Sequence, residues 1–291
     1  MCARKTPNLF QEKTVKQFVT TAAATASLSM AMLPAHADIQ YTQETRMPDR
    51  PGDKPFSTSV VYKRPGAERT ETTYQFGATE QKSVSLTVCA KKEMYTLDPA
   101  LKLYYATPLA TPAAANRPAA KAAAGQKTGT MTMTLVSLRD LGPQKVGQFN
   151  AHGYEVVTRM QTSGCMGNST TTTKQQIFVA PQATLASGSD GCRDMTTAGG
   201  STVGNCKVAM IRKGDWSRYE KITRGLQVRT RIYNGNAVQM ETQTTKVSRA
   251  KLAGTLFAIP AGFKRVSSQE FQAAQSKAMM ERMRTQQNDN E

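Results

Sequence analysis

The stretch that decides the fold runs from Leu226 to Asn236 and reads LQVRTRIYNGN. Two sets of side chains alternate along it: Leu226, Val228, Thr230 and Ile232 on one side, and Gln227, Arg229 and Arg231 on the other. A period of two is typical of a strand with one buried face. The dipeptide Asn234-Gly235 suits the positive backbone angles of a two-residue hairpin turn. The stretch therefore predicts a hairpin with an apolar inside and a basic outside.

Segments of the same kind recur along most of the chain. They are short, rich in Val, Thr, Tyr and Phe, and separated by turns such as Asp98-Pro99-Ala100. The predicted strands are 56–63, 69–76, 82–89, 93–98, 101–106, 129–138, 145–161 and 171–180. One helix is expected within 207–224, and a second follows Ser267, which forms a capping box with Glu270. Because helices do not alternate with strands, the fold class is mainly β with α (α+β), with a mainly antiparallel sheet.

The N-terminal sequence has the order of a secretory signal peptide. A basic start leads into an uncharged run from Phe18 to Leu33, and the small-x-small site Ala35-His36-Ala37 follows. We expect cleavage after Ala37 and a periplasmic or secreted product; the alternative is an N-terminal anchor. The predicted organisation is a signal peptide at 1–37, an extended lead-in at 38–55, a β domain at 56–266 with mobile loops at 107–128 and 183–206, and a C-terminal helix with a polar tail at 267–291.

The charge balance is strongly basic. The chain has 38 Lys and Arg against 21 Asp and Glu, which gives a formal net charge of +17. Such an excess attracts anionic surfaces. The anionic-surface contact candidates are Arg224, Arg229 and Arg231, which lie near two tyrosines in the sequence. An exported protein meets anionic lipid and envelope polymers more often than nucleic acid, so we expect no nucleic-acid partner. The alternative is an ordinary solvated charged face.

Four cysteines follow the predicted signal peptide: Cys89, Cys165, Cys192 and Cys206. An even number in an exported chain favours two disulfides, for which three connectivities are possible. Cys192 and Cys206 bracket a segment rich in Gly, Ser and Thr, so we favour Cys192–Cys206 and Cys89–Cys165. Zinc is the alternative, but no two cysteines have the two-residue spacing of a metal knuckle. We expect no metal site.

Residues for acid, base or nucleophilic catalysis are scarce. The chain has two histidines, and one of them, His36, lies in the predicted signal peptide. His152 lies within a strand pattern, with neither a G-x-S-x-G sequence nor a reactive-cysteine context near it. A lone histidine in such a place is more often structural than catalytic. We therefore expect a protein that is not an enzyme and carries no cofactor.

The segment Ala253-Gly254-Thr255-Leu256-Phe257-Ala258-Ile259-Pro260-Ala261-Gly262-Phe263-Lys264 follows the hairpin. It is preceded along the chain by Met94–Asp98, Leu103-Tyr104-Tyr105 and Val146–Val156. Together, and in this order, these segments resemble the LolA-like exported proteins, a half-barrel superfamily with many members of unknown function, and the last segment is the most specific. The resemblance implies an unclosed, curved antiparallel half-barrel over one or two helices. It also implies a hydrophobic concavity, which in the carriers accepts acyl chains.

These observations lead to two functional hypotheses. The first is a non-enzymatic periplasmic carrier or chaperone-like protein that shelters a lipid or lipoprotein acyl chain. Its candidate lining residues are Tyr104, Tyr105, Met131, Met133, Leu135, Val228, Ile232, Val238, Met240 and Phe257. Methionine adapts its shape readily, which suits varied acyl chains; ordinary core filling is the alternative for each residue. The second hypothesis is a structural or envelope-surface protein that binds anionic lipid or polymer through its basic exterior.

Overall fold

The structure is a computed structural model. It describes residues 38–50, 54–77, 79–110, 127–180, 196–197, 202–203, 206–223, 225–249 and 251–288. The predicted signal peptide, most of both predicted loops, Cys192 and Arg224 lie outside the described residues. The described residues all belong to one compact unit.

The described part of the chain is built mainly from strands. In chain order these are β1 (Ile39–Arg46), β2 (Ser57–Arg64), β3 (Ala67–Phe76), β4 (Thr79–Val88), β5 (Glu93–Asp98), β6 (Leu103–Ala110), β7 (Lys127–Val146), β8 (Phe149–Gly164), β9 (Ser169–Ala180), β10 (Thr196–Thr197), β11 (Thr202–Val203), β12 (Cys206–Lys213), β13 (Leu226–Asn234), β14 (Ala237–Arg249) and β15 (Lys264–Arg265). Two α-helices are described, α1 (Ser217–Thr223) and α2 (Ser268–Asn288). Short 3₁₀ turns occupy Cys89–Lys91 and Gly254–Phe257.

Within the described ranges the strands form one curved, unclosed sheet that is mainly antiparallel, as predicted. Its order is β10-β6-β5-β4-β3-β2-β1-β14-β13-β9-β8-β7-β12-β11, with β15 beside β6. Two pairings are parallel, β12 with β7 and β15 with β6. The sequence predicts only an extended lead-in at 38–55, but β1 lies within it, between β2 and β14, and is a central strand. Two neighbouring strands satisfy its backbone although its sequence is polar.

Local signals differ in how well they predict the elements. The β13–β14 hairpin is confirmed, with Gly235 at φ 60°. So is the capping box, in which the Ser267 and Glu270 side chains each bond the other's backbone N–H. The helix predicted within 207–224 begins too early, because Cys206–Lys213 pairs with β7 as a strand and only Ser217–Thr223 is helical. The strand predicted at 145–161 is two strands, which meet at a turn between Val146 and Phe149.

The sheet bends around a cluster of buried apolar residues that come from strands far apart in the sheet order. Val61 of β2 packs in this cluster with Ala151 of β8 and Phe178 of β9. Its members lie on the same face of neighbouring strands from β2 through β1, β13 and β9 to β8 and β7. We call this the inner face. The cluster consists of Ile39, Tyr41, Val61, Val146, Ala151, Phe178, Ala180, Leu226 and Val228.

The opposite, outer face has two separate apolar clusters. On β3–β6 the segment 251–263 covers Leu86, Leu97 and their neighbours through Phe257. Arg69 secures this segment, because its guanidinium donates to the Leu256 carbonyl at 3.2 Å. On β8 and β9, α1 covers Val156 and Ile177.

One disulfide is described, and it differs from the pairing we favoured. Cys165 is bonded to Cys206, with the two Cα atoms 5.7 Å apart. The predictions Cys192–Cys206 and Cys89–Cys165 are therefore wrong. The physical reason is the parallel pairing of β12 with β7, which brings Cys206 beside the turn that follows β8. Cys89 is also oxidised to a disulfide.

Candidate functional site

The inner face of β2–β5 is lined mainly by hydroxyl groups. Strand register from β2 to β5 places seven half-buried side chains on the same face as Val61. This hydroxyl wall consists of Ser59, Thr70, Thr72, Ser83, Ser85, Thr87 and Thr96. Some of its members bond each other, as Ser59 Oγ does with Thr72 Oγ1 at 2.9 Å. Because the alternating apolar residues of β4 face outward, the inner face is polar at this end.

Helix α2 begins at the end of the hydroxyl wall, over β5 and β6. Phe271 is 2% exposed, and its ring lies 5.0 Å from that of Tyr105. One turn later, Gln275 Nε2 donates to Asp98 Oδ2 at 2.9 Å. The other Asp98 oxygen accepts the backbone N–H groups of the β5–β6 turn. Phe271 is the only buried residue among the helix positions whose burial is described, so α2 is anchored at its first turns.

A cleft of about 620 Å³ lies between β6, β15 and the start of α2. It is lined by Tyr105, Ala106, Thr107, Pro108, Arg265, Val266, Ser267, Ser268 and Glu270. The cleft exists because β15 pairs with β6 only at Leu103 and Tyr104, and β10 only at Leu109 and Ala110. Among the described residues, no strand pairs with the edge of β6 between those two contacts. Its lining combines aromatic and aliphatic carbon with hydroxyl and charged groups.

Arg265 of β15, which lines the cleft, lies close to Glu93 and Tyr95 of β5. The Arg265 guanidinium is 62% exposed and lies 3.9 Å from Glu93 Oε1. The other Glu93 oxygen accepts a hydrogen bond from the Tyr95 hydroxyl. Burial, and then this bond to Glu93, raises the pKa of Tyr95 to about 12. Tyr95 therefore remains a neutral donor to Glu93 at neutral pH, and Arg265 is the cationic residue of the cleft lining.

The ten predicted lining residues do not line one chamber. Val228 is buried in the inner-face cluster, while Tyr104 and Phe257 lie in the outer cluster under segment 251–263. Leu135 packs near α1 on the outer face, and Met131 and Met133 are half-buried on the same face of β7. Ile232, Val238 and Met240 are half-buried on the β13–β14 hairpin. Of the ten, Tyr105 lines the cleft.

Sequence reasoning missed the rest of the cleft. Arg265, Ser267 and Glu270 come directly after the Phe263-Lys264 end of the segment that resembles LolA-like proteins. The capping box marked this position as a helix start. Nothing in the sequence indicated that the start would lie against the edge of β6, because the partners Lys264 and Leu103 are 161 residues apart and β15 pairs with β6 by only two residues.

Arg229 and Arg231 do not form the predicted basic exterior. The register shifts at Val228, so Arg229 is opposite Phe178 and lies on the inner face. Its guanidinium is 6.0 Å from the Phe178 ring centroid and donates to Gln243 at 3.3 Å. Arg231 Nε donates to Glu241 at 2.5 Å, and this bond raises the pKa of Arg231. A bulge in β13 thus turns both arginines toward internal partners.

His152 belongs to a small charged cluster on the outer face. Its Nε2 lies 2.6 Å from Asp140 Oδ1, which also accepts the Gly142 N–H at 2.7 Å. The Gly142 bond, and then the His152 bond, lowers the pKa of Asp140. Among the described residues, no hydroxyl or thiol hydrogen-bonds to His152, and no three His, Cys, Asp or Glu side chains converge. The geometry therefore places no nucleophile beside His152.

No protein-family model matches the chain, and no curated protein matches it. The resemblance to LolA-like proteins therefore stays a prediction that rests on the residues quoted above. Within the described residues, no helix has the length and apolar character needed to cross a membrane.

Proposed function

We propose that the protein is a non-enzymatic, exported binding protein that holds an amphipathic, acyl-type ligand in the cleft between β6 and α2. The observation that carries the proposal is the cleft itself. Its volume of about 620 Å³ falls within the range of small-molecule sites, and its lining combines apolar surface with a few convergent polar groups. An acyl chain would lie along Tyr105, Pro108 and Val266. An anionic headgroup would face Arg265.

The anchoring of α2 supports a binding role. Phe271 and Gln275 hold the helix to the sheet near its start, whereas Met279 and Met280 further along are exposed. A small shift of α2 about the Phe271 contact would widen the cleft while the sheet stays fixed. This arrangement would admit ligands of different chain length, a property expected of a carrier.

A fluorescent fatty acid, 11-(dansylamino)undecanoic acid, tests the proposal directly. We expect saturable binding to the whole chain. Thr107→Trp fills the cleft and should weaken binding by about tenfold or more, equivalent to ~1.4 kcal/mol. Thr172→Trp makes the same change at an exposed position of β9 and should leave affinity unchanged. Absence of saturable binding, or equal binding by the two variants, would overturn the proposal.

The headgroup contact has its own test. Laurate and dodecanol carry the same chain but differ in charge, so each can compete with the fluorescent probe. Arg265→Gln should weaken competition by laurate and leave competition by dodecanol unchanged. Arg282→Gln on the exposed part of α2 is the matched control. An equal effect on both competitors would remove Arg265 from the site.

The second candidate function is interaction with an anionic envelope lipid or polymer. It is supported by the formal charge of +17, although Arg229 and Arg231 are engaged internally. Exposed cations on β12 and α1, including Lys213 and Lys221, supply alternative contacts. Binding to phosphatidylglycerol vesicles that weakens steeply with salt would favour this candidate. Salt-independent uptake of a single acyl ligand would favour the first.

A further inference from the structure

Four methionines lie together on the outer face of β7, β8 and β12. Met131 and Met133 are two residues apart on β7, so they share a face. Met133 is directly opposite Met160 on β8, and Met131 is the register partner of Met210 on β12. No register shift interrupts these pairings. We call the set Met131, Met133, Met160 and Met210 the methionine face.

Strand geometry brings the four sulfur atoms within reach of one another. Cβ atoms of directly opposed residues are about 4.5–5.5 Å apart, and residues two apart on a strand are separated by about 6.6–6.8 Å. A methionine side chain has three rotatable bonds, so its sulfur can turn toward a common centre. Three of the side chains are half-buried, and Met210 is 58% exposed. The centre of the set is thus open to solvent on one side.

The three strands that carry these methionines are held in register. The Cys165–Cys206 disulfide joins the turn after β8 to the start of β12, across the start of β7. In addition, the Cys165 backbone N–H donates to the Thr128 carbonyl at 3.0 Å. The sulfur ligands therefore stand on a fixed platform, as a binding site requires.

The charge beside the methionine face is compensated. Arg212 is the register partner of Met133 on β12. Its guanidinium lies over the Trp216 ring at 4.4 Å from the centroid and donates to Glu220 at 2.8 Å. The arginine is thus directed toward α1. The remaining neighbours on this face of β8 and β9 are threonines such as Thr158 and Thr171, which carry no charge.

We propose that the methionine face is a site for a soft monovalent cation, Cu(I) or Ag(I). Thioether sulfur is a soft donor that favours Cu(I) over the harder divalent ions. An uncharged set of sulfurs on a half-buried face suits a monovalent cation, because little charge has to be compensated. This site is separate from the cleft and does not depend on the proposed acyl ligand.

Titration of the whole, disulfide-intact chain with silver nitrate in chloride-free buffer tests the site. Ag(I) needs no reductant, so the Cys165–Cys206 bond stays intact. We expect one tightly bound equivalent, with NMR shifts of the four methyl groups of the methionine face. Trp216, the single tryptophan of the chain, lies next to this face and should be quenched in parallel. Zn²⁺ should produce none of these changes.

Leucine substitutions distinguish binding at the methionine face from weak binding of Ag(I) by methionines in general. Leucine removes the sulfur at nearly constant volume, so Met133→Leu with Met160→Leu should keep the fold and lower Ag(I) affinity about tenfold or more, ~1.4 kcal/mol. Met279→Leu with Met280→Leu, exposed on α2, is the matched control and should change nothing. Absence of Ag(I) binding by the parent chain, shifts spread evenly over all methionines, or equal losses in the two double variants would each overturn the proposal.

Discussion

The two halves of the sheet follow different rules. The pairings among β1–β6 each keep one register along their whole length. In the other half, β7, β8, β9 and β14 are longer than any strand from β1 to β6. Register shifts interrupt β7–β8, β13–β9 and β13–β14, and another lies where β1 meets β14. The inner face of β2–β5 carries the hydroxyl wall, whereas the packed apolar cluster begins at Ile39, Tyr41 and Val61 of β1 and β2 and continues into the second half. Unbroken alternation thus produces a uniform face, whereas bulges exchange residues between faces.

The two proposed sites follow this division. The cleft lies at the outermost strand of the regular half, where β6 has too few partners to cover its edge. The methionine face lies in the bulged half, on a stretch of β7 that precedes its first register shift. Both proposed sites therefore use strand segments that contain no register shift. Four variants can test the comparison, in order of decreasing effect.

Leu97→Ala should have the largest effect, because Leu97 is 1% exposed in the outer cluster of the regular half. Truncation of a buried leucine leaves a cavity and costs about 2–5 kcal/mol. Urea unfolding followed by circular dichroism measures the loss. Leu252→Ala makes the same change at a half-buried position over the same cluster and should cost less. Equal losses would mean that segment 251–263 buries Leu252 as fully as the sheet buries Leu97.

Removal of the Cys165–Cys206 disulfide should act mainly on the bulged half. The two cysteines are 41 residues apart in sequence, and a cross-link of this kind is typically worth about 2–4 kcal/mol. Cys165→Ser with Cys206→Ser should therefore lower the unfolding free energy by that amount. Hydrogen exchange should accelerate most in β7, β8 and β12 and least in β2–β5, because local opening adds to global unfolding only near the lost cross-link. Equal acceleration in both halves would contradict the division.

How much the sequence predicts also differs between the halves. In the regular half, alternation in segments such as 83–89 correctly separates Val84 and Leu86 from the Ser and Thr residues between them. It cannot tell which face lies inside the curve, because that depends on what covers each face. Segment 251–263 lies about 160 residues away and covers the apolar side. The inner face of the regular half is therefore polar. It does not form the wall of the predicted hydrophobic concavity for acyl chains.

In the bulged half the single-strand pattern fails for a different reason. A bulge is a mismatch in residue count between two strands, so the sequence of β13 alone cannot reveal that Arg229 is opposite Phe178. Likewise, β12 has the apolar spacing of a helix and becomes a strand because β7 offers it a parallel edge. The methionine face depends on the pairing of β7 with β8 and with β12. The sequence analysis names Met131 and Met133 of β7 as lining candidates, but the pattern of single strands does not bring Met160 and Met210 to them.

Glu241→Gln tests the arginines that the bulge turns inward. Glu241 accepts from Arg231 and lies 3.8 Å from the buried Arg229 Nε, which has no hydrogen-bond partner. Loss of the carboxylate charge leaves two partly buried cations with weaker compensation, so we expect a cost of about 1–3 kcal/mol in unfolding free energy. Glu44→Gln is the matched control in the regular half. Its partner Arg46 is 52% exposed, and the expected cost is about 0–1 kcal/mol. Similar costs would place Arg229 and Arg231 in solvent.

Tyr95→Phe should have the smallest effect at neutral pH, about 0.5–1.5 kcal/mol for the lost bond to Glu93. Its larger signature is at alkaline pH. Since the folded state holds the pKa of Tyr95 at about 12 and an unfolded tyrosine titrates near pH 10, folding favours the neutral phenol. This contribution to stability is present below about pH 10 and is lost as the pH rises toward 12.

The Tyr95→Phe variant should therefore show a shallower fall in urea midpoint between about pH 10 and 12 than the parent chain. Tyr104→Phe, with a ring 6.2 Å away, should keep the parent slope. If the Tyr95→Phe variant loses stability between about pH 10 and 12 as steeply as the parent chain, the ionisation of Tyr95 does not cause that loss. Another group then controls the alkaline unfolding of the regular half.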